Sequence, residues 1–206
     1  MKKQLLIAVT FVLGITAFAE QKTWTNYLGF GLNIPTSRTI VVKGEPSDTN
    51  IKFKNVAGLN TFYIGTHENG LTVKGALDIN GSKSDIAFGS KKNLFAANVD
   101  LIFGVGYAPI HDDNYYIGLF GTLGATYFET EEVSKCSFEF SNAFVGVDVT
   151  AAYTFTNHFS VYGSLEYNLL LPGNYKARNH SSDTTVKDDT KMSYAFIPTL
   201  GVCWKF

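Results

Sequence analysis

Between Trp24 and Phe206 almost every periodic segment alternates hydrophobic and polar positions with a period of two, the repeat of a β-strand whose faces meet different media. Segment 24–34 puts Leu28, Phe30, Leu32 and Ile34 on one face, opposite Tyr27, Gly29, Gly31 and Asn33. Segment 71–79 sets Leu71, Val73, Leu77 and Ile79 against Thr72, Lys74 and Asp78. The same alternation runs through 94–107, 115–127, 143–155 and 159–169, and back from Phe206 through Trp204, Val202 and Leu200. In 57–66 Phe62, Tyr63 and Ile64 are all bulky, so its inward face stays open, but it brings the count to eight strands. They are predicted to be about 10–14 residues long, where globular strands cluster at about 5–6.

The links alternate too. Short ones at 67–70, 108–114 and 156–158 are interleaved with long polar ones at 35–54, 80–93, 128–142 and 172–191. Hairpin geometry gathers the short links at one end and the long ones at the other. The pattern predicts an all-β fold, an eight-stranded antiparallel up-and-down β-barrel that is transmembrane.

Alternation alone does not say which face is outside, and a soluble periplasmic lipocalin-like binding barrel would put its apolar face inward. The aromatic positions decide. Trp24, Tyr107, Tyr115, Tyr153, Phe155, Phe159, Trp204 and Phe206 come from different strands yet fall near the short-link level, as a girdle at a membrane–water boundary does. Phe95, Tyr127, Tyr167 and Tyr194 make a thinner ring near the long links.

The first residues read as a cleaved signal peptide over 1–19: Lys2 and Lys3, an apolar run from Leu5 to Ile15, and the small-x-small Ala17-Phe18-Ala19. The expected barrel domain is 20–206. A leader followed by a last strand ending on Phe206, with apolar residues at alternate places, resembles the bacterial outer-membrane β-barrel superfamily. Its eight-strand OmpA-transmembrane, OmpX and OmpW kinds are nearest in size. The resemblance implies an outer-membrane location, contact with outer-membrane lipid, and a C-terminal strand read by the barrel-assembly machinery.

Composition narrows the chemistry. Taking Lys2 and Lys3 from the 17 basic residues leaves 15 against 18 acidic ones, a net of −3, which offers nucleic acid no footprint. Lys74, Asp78, Asp100, Asp148, Glu166 and Lys205, with Tyr116 and Tyr162, fall on the predicted interior face. Eight strands leave room there for side chains and little else, which favours a polar plug over an open pore. Barrels of the OmpA kind pair interior acids with arginine. Arg38 and Arg178 both fall in long links, so that gate is not expected here.

His180 and Ser182 resemble the H-x-S pair of eight-strand lipid A deacylases, with Asp183, Asp188 or Asp189 as orienting acid. They fall in a polar link rather than a lipid-facing strand, so a lipid A-modifying hydrolase is the alternative, and a non-enzymatic role is expected. His67, His111 and His158 lie in short turns without metal-ligand spacing, so no metal and no cofactor is expected. Cys136 and Cys203 are predicted at opposite ends, too far apart for a disulfide. The long links, carrying Lys43, Glu45, Asp48, Glu129, Glu131, Glu132 and Lys135, are where an extracellular ligand would be met. The function expected is a surface-exposed structural or interaction protein, or passive passage of small molecules.

Overall fold

The computed structural model describes residues 23–43, 49–85, 87–88, 91–92, 94–132, 136–179 and 184–206, and all its regular elements are strands. In chain order they are β1 (Trp24–Asn33), β2 (Ser37–Val42), β3 (Thr49–His67), β4 (Leu71–Ser84), β5 (Ala87–Phe88), β6 (Lys91–Lys92), β7 (Phe95–His111), β8 (Tyr115–Thr130), β9 (Cys136–Thr154), β10 (Phe159–Leu170), β11 (Asn174–Asn179), β12 (Thr184–Lys191) and β13 (Ser193–Lys205). The leader expected over 1–19 lies outside the described residues.

Strands β1, β3, β4, β7, β8, β9, β10 and β13 pair in that order, each antiparallel to the next, and β13 returns to β1. The ring closes where Asn26 and Phe206 exchange amide hydrogen bonds of 3.0 Å each. Closure gives every wall strand two neighbours, which backbone amides in hydrocarbon require.

The long links are mostly strand, not the polar loops their composition suggests. β2 continues β1, β11 continues β10, and β12 leads into β13. Above the main ring the circuit runs β3, β4, β7, β8, β9, β11, β12, β2 and back to β3. β3 and β9 are 19 residues each and β7 is 17, well past the expected 10–14.

The cause is an inversion of amphipathicity. In the main ring Phe30, Leu32, Leu123, Val147 and Leu200 are exposed outward while Asp78, Asn80, Asp100 and Asp148 are buried inside. In the upper ring Ile40, Val42, Ile51, Phe53, Phe128 and Phe140 pack inside, while Lys52 and Lys54 are exposed. At this end the polar face is outward and the apolar face turns inward. A bulge between Asn55 and Ala57 changes the phase of β3 at this level.

The face left open at 57–66 is now fixed. Phe62 and Ile64 are buried in the main core with Tyr27, Tyr116 and Tyr162, and Tyr63 is buried with its hydroxyl donating to Asn26 Oδ1 at 2.6 Å. Gly31 of β1 and Gly201 of β13 are register partners, and a Cβ on either would run into the Tyr162 ring or hydroxyl and the opposing backbone. They let the closing seam pass beneath that ring.

Candidate functional site: the barrel interior and its two rims

The interior is filled in layers. Nearest the short turns, the Tyr27 and Tyr116 rings lie 5.1 Å apart, and the Tyr116 hydroxyl is 3.1 Å from Thr72 Oγ1. The Thr154 and Ser160 hydroxyls pair at 2.7 Å across β9 and β10.

Next, Lys74 of β4 crosses the lumen to β9. Its ammonium stands 3.1 Å from Asp148 Oδ1 and donates to Thr150 Oγ1 at 3.3 Å. The Phe62 and Phe120 rings lie within 5.8 Å of the same nitrogen, so the cation is held by a carboxylate and two π-faces. Glu166 is the register partner of Asp148 and accepts from Asn168 Nδ2. Asp78 accepts from Asn60 Nδ2, and Asn60 Oδ1 in turn accepts from the Tyr162 hydroxyl at 2.8 Å. Asn33 links this layer to both neighbours, donating to Asn80 at 2.8 Å and accepting from Thr199 at 2.8 Å.

Above these stands a residue that the sequence placed elsewhere. Arg38 does not sit in a solvated loop: it lies on β2 and turns into the lumen, reaching Asp100 on β7. Nη2 donates to Oδ2 at 2.9 Å and Nη1 to Oδ1 at 3.2 Å, a two-pronged pair with both side chains buried. Nη1 also donates to Thr126 Oγ1 at 3.0 Å, and the guanidinium lies 5.0 Å from the Phe128 centroid. An interior acid is therefore paired with arginine after all. The signal for it was available, because Arg38 shares the parity of Ile40 and Val42, which alternate with Thr39 and Val41.

The top layer is apolar. Phe53 packs between Phe128 and Phe140, with centroids 5.0 and 5.5 Å away, and Tyr175 lies 5.0 Å from Phe140. Burial raises the pKa of the Tyr175 phenol.

Lys205 is at the rim of the short turns rather than deep in the lumen. It donates to the carbonyls of Asp112 at 3.2 Å and Asp113 at 2.9 Å. Asp112 accepts the amides of Tyr115 at 2.6 Å and Asn114 at 2.9 Å, which hold its carboxyl below the usual carboxylate range.

Around this rim Tyr107, Tyr115, Tyr153, Phe155, Trp204 and Phe206 are exposed, and Trp24 and Phe159 are half-exposed. Tyr115 pairs with Tyr153 at 5.2 Å and Phe155 with Phe159 at 5.0 Å. At the other level Phe95, Tyr127, Tyr167 and Tyr194 are exposed.

The three turn histidines go to separate partners. His67 lies edge-on to Trp24, His111 Nδ1 is 2.8 Å from the Ala108 carbonyl, and His158 stacks on Trp204. Among the described residues no three His, Cys, Asp or Glu side chains converge as a metal site. His180, Ser182 and Asp183 lie outside the described residues. Asp189 pairs with Lys43 at 3.3 Å, and Asp188 accepts the Asp189 amide. Cys136 and Cys203 are both free.

The fold has counterparts among solved structures. The chain is similar to a major outer membrane protein from Thermus thermophilus, with a TM-score of 0.57 and 11% identity over 88% of this chain and 99% of that one. It is similar to the outer membrane protein OprG from Pseudomonas aeruginosa, with a TM-score of 0.56 and 13% identity over 89% and 95%. It is similar also to Ail, the attachment invasion locus protein of Yersinia pestis, with a TM-score of 0.51 and 13% identity over 88% and 98%. No protein-family model matches the sequence, and no curated protein matches it. At these identities the likeness is one of fold, and the fold is that of the bacterial outer-membrane β-barrels.

Proposed function

We propose that this chain, an outer-membrane β-barrel by its fold, is a closed barrel that displays its four long hairpins at the cell surface as a structural or interaction protein, without enzymatic activity. The observation that carries the reading is the layered lumen. A lysine bridge at Lys74–Asp148, an arginine bridge at Arg38–Asp100 and the cap of Phe53, Phe128 and Phe140 follow one another along the axis. Each spans the interior of an eight-strand ring, whose bore holds side chains and little more. In this reading the three together leave no continuous water path along the axis.

The long hairpins supply the display. They carry strand structure beyond the apolar band and have an apolar core of their own, so the surface they present is built rather than loose. In this reading the short turns are periplasmic, and β13 carries the features by which the assembly machinery would recognise it. Two assays test the proposal. In a Cys136→Ser background, Lys187→Cys should react with a membrane-impermeant maleimide on intact cells, and Asn157→Cys only after permeabilisation. Liposomes holding the folded protein should not swell in small sugars. Reversed labelling, or swelling at porin-like rates, contradicts it.

A further inference from the structure

The wall bears three lysines where the apolar band gives way to the upper ring. Lys54 on β3 and Lys83 on β4 are direct register partners, and Lys52 is two residues further along β3. All three are exposed. Below them on the same wall are Val56, Ile79 and Phe95, each 45–50% exposed on the outer face.

Like charges directly opposed across two strands repel and destabilise the sheet. Among the described residues none of the three lysines forms an ion pair. Two described carboxylates that border the patch accept backbone amides. Asp85 Oδ1 accepts the Lys52 amide at 2.7 Å, and Glu131 Oε1 accepts the Phe95 amide at 2.8 Å. On the far wall the opposed acids Glu129 and Glu139 are relieved, because Arg178 reaches Glu139 at 3.6 Å. Among the described residues the repulsion between Lys54 and Lys83 has no such relief. The pair stands at the upper edge of the exposed apolar band, where Lys83 is the register partner of Phe95.

We propose that Lys52, Lys54 and Lys83 form a binding site for the phosphate groups of lipid headgroups in the leaflet beside the long hairpins. The site rests on the barrel reading, since it needs the apolar band below it to be in lipid. An ammonium cluster at that height gains from anionic headgroups, about fivefold in affinity for each lysine.

The test compares the full folded chain with two triple variants, Lys52→Gln/Lys54→Gln/Lys83→Gln and the corresponding change of all three to Arg. Each is reconstituted in phosphocholine vesicles, with or without diphosphorylated lipid A, and lipid retention and the thermal midpoint are read. The parent and the arginine variant should retain lipid A and melt higher with it present. The glutamine variant should bind it roughly a hundredfold more weakly and melt no lower than the parent in phosphocholine alone. Equal lipid A retention by the glutamine variant overturns the proposal. So does full protection by inorganic phosphate in phosphocholine vesicles, which would mark a free-anion site. Failure of the parent to insert into phosphocholine vesicles at all would instead refute the barrel reading.

Discussion

Replacing Arg38 by Ala should be among the most damaging single changes outside the apolar cap. The guanidinium is buried and makes two bonds to Asp100 and one to Thr126. Its loss leaves the Asp100 carboxylate at 0% side-chain exposure with one remaining side-chain donor, Asn98 Nδ2 at 3.2 Å. Breaking a buried pair from one side typically costs about 3–5 kcal/mol, because a charge is left without a partner. Asp100→Asn in the same background should recover part of that loss, since a neutral amide needs no counter-charge. The double change Arg38→Met/Asp100→Leu should lie closer to the parent than either single truncation. Lys43→Ala is the control: the Lys43–Asp189 pair is 49% and 64% exposed, and such pairs contribute about 0–1 kcal/mol. Urea unfolding in phosphocholine vesicles, followed by the fluorescence of Trp24 and Trp204, gives the free energies. If Arg38→Ala costs no more than Lys43→Ala, or a double-mutant cycle finds no coupling between positions 38 and 100, Arg38 does not bridge the lumen.

Further outcomes follow from other layers. Phe140→Ala removes a fully buried ring from the upper core and should cost about 3–5 kcal/mol in the same unfolding assay; a loss below about 1 kcal/mol would mean that the upper ring is not packed. Gly201→Ala sets a methyl group against the Phe30 carbonyl and the Tyr162 ring, so the yield of heat-modifiable folded barrel should fall; an unchanged yield contradicts the close seam. The folded-state pKa of Asp112 is depressed, so its contribution is present above the ordinary carboxylate pKa and is lost as pH falls through the lower folded value. Amide exchange at 112–115 should therefore accelerate only in strong acid, and Asp112→Asn should remove that acid dependence. Lipopolysaccharide incubated with the pure protein should release no fatty acid; release abolished by Ser182→Ala would restore the hydrolase reading.

The fold was legible because a lipid-facing wall forces strict alternation, which seven of the eight strands show; in β3 the run of Phe62, Tyr63 and Ile64, all buried, hides it. The soluble-barrel alternative fails on the same residues, since Phe30, Leu123 and Leu200 are each about 60% exposed while Asp78, Asp100 and Asp148 are buried. What was hidden lies above the band. There the outer face is polar and the inner face apolar, so 35–54 and 172–191 look like mixed loops unless parity is followed through the change of phase. Arg38 was lost with them. A charged residue flanked by Thr, Ile and Val reads as a solvated link, yet its parity with Ile40 and Val42 sends it inward, and only the tertiary register brings it to Asp100. The polar lumen was legible as a set of residues but not as pairs. Lys74 meets Asp148 across the lumen, a contact between β4 and β9 that no local spacing encodes.

The claim that the lumen is sealed is tested most directly by single-channel recording in planar bilayers. The folded parent protein should give no stable conductance steps. Opening events should appear when the bridges are removed together in Arg38→Ala/Lys74→Ala. Steady conductance from the parent, unchanged in that double variant, would contradict it.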